Sequence, residues 1–367
     1  MITRSYLRPI GRIARPPARA AAEPDEAVWI GGNERLAFAA LELIERTTDL
    51  TTESRVISVL DAWSEIAAGC ARATDLQAAL DGFAAPRAEI AGLAFDRPRL
   101  MGIINVTPDS FSDGGNLADA RQAIAFAKRL ADEGADFLDI GGESTRPGSD
   151  PVPVEEELRR VIPVVEGLAG RVSARISIDT RKPEVMLKAA AAGAHLINDV
   201  SALEFDPESL GAAAETGLPV ILMHSRGDPK TMQQDPRYDN VLLDVFDTLS
   251  ARVKACLEAG IPKHRIVVDP GIGFGKTLGH NLELLAGLSI LHGLGVPIML
   301  GASRKSTIGR LTGAAAPSER VPGSIAAALS GAMQGVSILR VHDVAATRQA
   351  LTVWEAALHG HAPETIG

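Results

Sequence analysis

The sequence predicts an α/β protein: a (β/α)8 TIM barrel behind a mostly helical N-terminal appendage. Three observations predict it. From residue 100 onward, short apolar runs alternate with stretches of helical periodicity, eight times within about 260 residues, the size and count of such a barrel. Glycine recurs shortly before or at the start of the runs, at Gly134, Gly193, Gly217, Gly260, Gly295 and Gly335, as at helix C-termini repeated in register. Polar residues gather at the C-terminal end of every run, while the runs themselves stay apolar. An open doubly wound sheet is the structural alternative, and eight regular units favour closure.

The elements follow in order. Residues 1–22 carry Arg4, Arg8, Arg12, Arg15 and Arg19 before the first acid, Glu23. That composition matches an organellar transit peptide. Ser and Thr are sparse there and no cleavage signal follows, so we read a basic, partly disordered terminus broken at Pro16 and Pro17. Asn33–Arg46, Ser54–Gly69 and Asp75–Phe83 carry apolar residues at helical spacing. Residues 1–95 are therefore expected to be an extension, partly disordered and then helical, with no assigned role. The barrel is expected over 98–361. Its strands are expected at 100–106, 136–141, 175–179, 195–200, 219–224, 265–269, 297–302 and 337–342. Helices are expected at 117–133, 154–169, 183–192, 206–216, 240–259, 278–293, 305–311, 323–334 and 344–358.

Composition narrows the function. The chain has 367 residues, 46% of them apolar, enough for a full core. A net charge of −9 argues against a nucleic-acid binder. Cys70 and Cys256 lie far apart and form no metal-ligand spacing, as in a reduced, cytoplasmic protein. No apolar run approaches the roughly 20 residues of a membrane span.

In a (β/α)8 barrel the active site lies at the C-terminal ends of the strands. There the sequence places, in strand order, Asn105 with Phe111 and Asp113; Glu143, Thr145, Arg146 and Pro147; Asp179; Asn198 and Asp199; Met223 and His224; Asp269; Ser303–Ser306; and Arg340, His342 and Asp343. Asp179, Asn198 and Asp269 offer acceptors and an amide that suit a flat, nitrogen-rich ring, and they would reject rings lacking the matching donors. Lys305, Arg340 and His342 follow strands seven and eight, where such barrels often bind phosphate. The Ser303-Arg304-Lys305-Ser306 stretch opens a helix. Asn105 could hold Mg2+ through its amide oxygen, with a diphosphate supplying the other ligands. Gly271–Thr277 resembles a P-loop but has Pro270 where that motif needs Gly, so we read it as a tight loop bringing Phe274 to a ligand.

Seven stretches, in order, then carry a resemblance: GIINVTPDSFSDGG, DIGGESTRPGSDPV, ISIDTRKPEV, INDVSAL, VVDPGIGFGK, SRKS and RVHDV. They resemble bacterial dihydropteroate synthases over roughly 70% of the chain. The resemblance implies a TIM barrel, usually dimeric, that uses Mg2+ to join p-aminobenzoate to 6-hydroxymethyl-7,8-dihydropterin diphosphate, giving 7,8-dihydropteroate and diphosphate. It implies a pterin pocket of Asp179, Asn198, Met223, Asp269 and Lys305. It implies a diphosphate site of Asn105, Arg340 and His342, with Asn105 on the metal. It implies a p-aminobenzoate site of Phe111, Thr145, Pro147, Phe274 and Ser306. Asp113, Thr145, Arg146 and Lys305 are implied in catalysis, the first three on two mobile loops. Two features depart from the family: Ser225 stands where Met often follows Met-His, and the usual bacterial enzyme lacks the first 95 residues. Rival readings are the pterin-binding domain of corrinoid-linked methyltransferases and a degenerate binder without turnover.

Overall fold

The structure, a computed structural model, describes residues 2–13, 27–31, 36–107, 116–144, 149–227 and 231–360. Its N-terminal part differs from expectation. In place of a helical appendage, four antiparallel strands precede two helices: β1 (Ile2–Arg12), β2 (Val28–Trp29), β3 (Ala37–Thr47), β4 (Thr52–Ile57), α1 (Val59–Ala67) and α2 (Ala73–Ala84). β3 is central, with β1 along one edge and β2 and β4 along the other.

The reason is legible in the burial. β3 buries both faces, Leu41 and Leu43 with α1 and α2, and Ile44 with Tyr6 against the barrel. A strand covered on both faces shows no clean alternation, and FAALELIER is rich in good helix formers. Pairing along both edges outweighs that local preference. A single helix over 54–69 is likewise excluded, because Ser58 caps α1 in a reciprocal capping box with Asp61 and leaves 52–57 extended.

Within the basic terminus, Ile2–Arg12 is a strand rather than a disordered arm. In β1, Arg4, Tyr6, Arg8 and Arg12 share one face, and that face lies on the barrel. Arg4 pairs with Asp247 at 2.5 Å, and the Tyr6 hydroxyl donates to the same carboxylate at 2.8 Å. Arg8 and Arg12 donate to the carbonyls of Ala286 at 3.0 Å and Ala332 at 2.6 Å. The spacing of Arg4, Arg8 and Arg12 is that of a docking strand, while Arg15 and Arg19 lie outside the described residues. Pro16 and Pro17 lie outside the described residues. α2 presses close as well: a Cβ on Gly82 would fall 2.0 Å from the carbonyl oxygen of Gly293.

Eight parallel strands follow: β5 (Arg99–Asn105), β6 (Phe137–Gly141), β7 (Arg175–Asp179), β8 (Leu196–Asp199), β9 (Val220–Met223), β10 (Ile266–Asp269), β11 (Met299–Leu300) and β12 (Ile338–Val341). They run in the order β10-β9-β8-β7-β6-β5-β12-β11, and a Val268–Ile298 bridge closes the ring. The outer helices are α3 (Asn116–Asp132), α4 (Val154–Leu168), α5 (Pro183–Ala192), α6 (Ser209–Thr216), α7 (Val241–Glu258), α8 (Leu278–Gly287), α9 (Ser306–Thr312), α10 (Val321–Met333) and α11 (Val344–His359). No helix among the described residues is long and apolar enough to cross a membrane.

Alternate strand residues face inward. Met101, Phe137, Leu196, Ile221, Val267, Met299 and Ile338 form the lower layer of the interior, and Ile90 plugs it. The outward residues, such as Leu138, Ile178 and Leu222, pack against the helices. One step toward the C-terminal end, the inward positions turn polar.

Candidate active site

The polar layer is built by strand parity. β6 turns Asp139 inward, β7 Asp179, β8 Asn198, β10 Asp269 and β12 Arg340. Asp139, Asp179, Asn198 and Asp269 are buried. Arg340 organises them: Nε donates to Asp139 Oδ2 at 2.6 Å and Nη2 to Asp179 Oδ2 at 2.7 Å. Asn198 Nδ2 donates to the same Asp139 oxygen at 3.0 Å. Gly271 N–H donates to Asp269 Oδ1 at 2.7 Å.

This layer holds more acceptors than donors. Asp139 Oδ1, Ser177 Oγ and Asn198 Oδ1 are buried without a hydrogen-bond partner, an expensive state that a donor-rich ligand would relieve. Burial pushes the Asp179 carboxyl well above the ordinary carboxylate range, against the pull of Arg340. Burial likewise raises Asp269, opposed by Lys305. Burial also brings the Lys305 ammonium down to about 8, with Asp269 holding it up. Lys305 donates to the Ile272 carbonyl and lies 4.5 Å from the centre of the Phe274 ring. Met223 is buried at the end of β9.

The loop after β10 is fixed by its glycines and by Lys276. A Cβ at Gly271 would meet the His224 carbonyl oxygen at 1.9 Å, and φ there is +67°. Lys276 Nζ fills the space behind: it bonds His224 Nδ1 at 2.9 Å and donates to the carbonyls of Gly271 at 2.9 Å and Phe274 at 3.0 Å. Burial lowers this ammonium to about 7 and, with the Lys276 charge, lowers His224 to about 3. Lys276 is thus a brace for the wall carrying Phe274, not a phosphate ligand of a P-loop.

At the opposite rim, His342 Nδ1 and Ser303 Oγ are 3.0 Å apart. Arg304, in the left-handed region at φ +57°, pairs with Asp343, Nε to Oδ2 at 2.9 Å. Asn105, His342 and Arg304 border a cleft of about 540 Å3 beside α3 and α11. Ser306 begins α9. A further ionic group underpins the end of β6: Lys182 pairs with both Glu143, at 3.1 Å, and Glu157, and Arg181 pairs with Glu143 at 3.0 Å. Glu143 also accepts from the Val152 N–H at 3.1 Å, tying down the chain on both sides of 145–148.

The structure therefore brings together Asp179, Asn198, Met223, Asp269, Lys305, Phe274 and Arg340, with Asn105, His342 and Ser306 at the rim. Phe111, Asp113, Thr145, Arg146 and Pro147 lie outside the described residues. Asp139 escaped sequence reasoning. Its signal was available: one acid at an inward position of the apolar run FLDIG. The Glu143–Lys182–Glu157 group was hidden because its members come from three separate elements.

An inward layer of carboxylates, an amide and an arginine at the C-terminal end of a (β/α)8 barrel defines an enzyme site for a flat, hydrogen-bonding heterocycle. Residues 101–342 match the model of the pterin binding enzyme family. The dihydropteroate synthase of Escherichia coli (strain K12) is 52% identical over 266 residues, spanning 72% of this chain and 94% of that one. The solved Xanthomonas albilineans dihydropteroate synthase with 4-aminobenzoic acid superposes with a TM-score of 0.70 at 55% identity, covering 74% of this chain and 98% of that one. The same enzyme in complex with 7,8-dihydropteroate superposes with a TM-score of 0.67 at 53% identity, with the same coverage. The chain belongs to the dihydropteroate synthase family.

Proposed function

We propose that this site condenses 6-hydroxymethyl-7,8-dihydropterin diphosphate with p-aminobenzoate to give 7,8-dihydropteroate and diphosphate, a step of folate biosynthesis. The observation that carries the reading is the buried layer with surplus acceptors around Arg340. A dihydropterin edge presents ring N–H and amino donors, which Asp179, Asn198 and Asp269 accept, while Met223 packs on the ring face. Lys305 donates to the ring's acceptor side. As the ring takes Asp179, one arm of Arg340 is released toward the diphosphate, where His342 and Asn105 complete the anion site.

The electron-rich dihydropterin can expel diphosphate from its methylene carbon before the new C–N bond forms. The aniline nitrogen is neutral at pH 7, so it attacks without a strong base. The protein stabilises the leaving charge with Arg340 and His342, and the transient cation with Asp269 and Asp113. Thr145, Arg146, Pro147 and Phe111 close over p-aminobenzoate beside Phe274 and Ser306 and exclude water that would trap the cation.

Mg2+ fits this chemistry as a substrate-borne ion. Among the described residues no three His, Cys, Asp or Glu side chains gather to hold a metal. One amide oxygen from Asn105, with diphosphate oxygens supplying the rest, is the donor set Mg2+ accepts. When bound it neutralises diphosphate charge. The reading includes a cytoplasmic homodimer and a division of the chain into an N-terminal part, 1–95, and the catalytic barrel, 98–361.

The test is titration of the protein with a pterin and, separately, with p-aminobenzoate in the presence of a pterin. Asp179→Ala and Asn198→Ala should abolish the first. Wild-type pterin affinity in both variants would overturn the assignment of the pocket.

A further inference from the structure

Among the described residues, no strand covers one edge of the N-terminal sheet. β1 is masked by α2 and the barrel, with Ser5 N–H bound to Asp75 of α2 at 2.8 Å and the Pro9 carbonyl bound to Ser289 Oγ of the barrel at 2.7 Å. β4 pairs with β3 on one side, and among the described residues no strand pairs with its other side. Thr52–Val56 are all exposed. The strand has no Pro and no Lys, and no register shift separates it from β3, so the edge is guarded only by Glu53 and Arg55, whose charges are opposite in sign. Apolar surface collects around it: Leu50, Val56, Leu60 and Trp63 are 50%, 65%, 53% and 41% exposed. They are four of the eleven large exposed apolar side chains among the described residues, within fourteen positions.

The strand is also complementary to itself. An antiparallel pair of β4 strands centred on Ser54 places Glu53 of one copy opposite Arg55 of the other, twice, and Thr52 opposite Val56. Both charged residues lie on the face of Leu43, since Arg55 is in register with Leu43 and Glu53 with Glu45. Arg55 Nη2 also pairs with Glu65 within the chain at 2.8 Å, which holds its guanidinium on that face. A two-fold axis perpendicular to the sheet puts both α1 helices on one side, bringing Leu60 and Trp63 of both copies to a common surface. We propose that β4 is a docking edge for a second copy of this chain, joining two four-stranded sheets into one continuous sheet. This pairing is independent of the catalytic reading, and it differs from any contact made through the barrels.

The test uses the full chain with Cys70→Ser as background, Cys256 being buried. Directly opposed antiparallel residues have Cα atoms about 4.5–5.5 Å apart, within the roughly 4.4–6.8 Å a disulfide spans. Ser54→Cys should therefore form a covalent dimer under oxidised glutathione. Glu53→Cys should not, because the two copies of residue 53 are diagonal neighbours about 7–8 Å apart. By sedimentation, Arg55→Glu should weaken self-association about tenfold, and Glu53→Arg with Arg55→Glu should restore it. A monomer, a dimer that Ser54→Cys fails to cross-link, equal cross-linking at 53 and 54, or a double reversal as weak as the single one would each overturn the proposal.

Discussion

Asp139→Ala tests the organisation of the polar layer. The Asp139 side chain is fully buried, and one oxygen accepts from both Arg340 and Asn198, at 2.6 and 3.0 Å. Truncation strands the Asn198 amide in the barrel interior, which costs about 1–3 kcal/mol. It also removes one partner of a buried ion pair, a loss of about 3–5 kcal/mol when the remaining charge is left alone. Arg340 is not left alone, since Asp179 stays at 2.7 Å. The two contributions together therefore amount to about 3–4 kcal/mol, at or below the low end of their sum of about 4–8 kcal/mol. With Asn198 and Arg340 free to turn, pterin affinity should fall by about 100-fold. Urea unfolding measures the loss of stability and pterin titration the loss of affinity. Ser177→Ala is the matched control: its Oγ is buried without a partner, so its loss should not lower the urea midpoint and should raise it if anything. An Asp139→Ala protein with wild-type midpoint and wild-type pterin affinity would refute the reasoning.

Other consequences are open to measurement. Lys276→Met should raise KM for p-aminobenzoate more than it lowers pterin affinity, because it frees the wall that carries Phe274. Its pH dependence has a definite sign. The native ammonium titrates near 7 against an ordinary value of 10.5, so the unfolded chain binds more protons between these pH values. Stability contributed by this lysine therefore rises with pH over that window, by at most about 1.4 kcal/mol per pH unit, and the Lys276→Met protein should lack that rise when urea midpoints are compared at pH 7.5 and 9.5. Gly82→Val should overpack the seam between α2 and the barrel and cost about 1–3 kcal/mol in thermal unfolding, while kcat is retained because the seam is remote from the polar layer. A large loss of kcat would instead couple the N-terminal sheet to the site. Asp113→Ala should lose most turnover and keep pterin binding, measured by separate rate and titration experiments, and equal loss of both would contradict a cation-stabilising role.

The barrel was legible because its signals are local and repeated. Arg175–Asp179 and Pro183–Ala192 coincide with the expected limits, the helix because Pro183 and Gly193 fix its two ends. The polar layer was legible at strand ends, where Asp179, Asn198 and Asp269 break an apolar run. Asp139 was not, because it sits inside its run and its meaning depends on inward parity and on Arg340, 201 residues away. The N-terminal sheet was misread because β3 is covered on both faces and composed of helix formers. Its partners lie in β1, whose arginines suggested a targeting segment and in fact lie against Asp247, Ala286 and Ala332.

The central claim is most directly tested by diphosphate release from the dihydropterin diphosphate with Mg2+, measured with and without p-aminobenzoate. Release that depends on p-aminobenzoate, matched by formation of 7,8-dihydropteroate, is the expected result. Tight pterin binding without release, or methyl transfer from a folate in place of dihydropteroate formation, would contradict it.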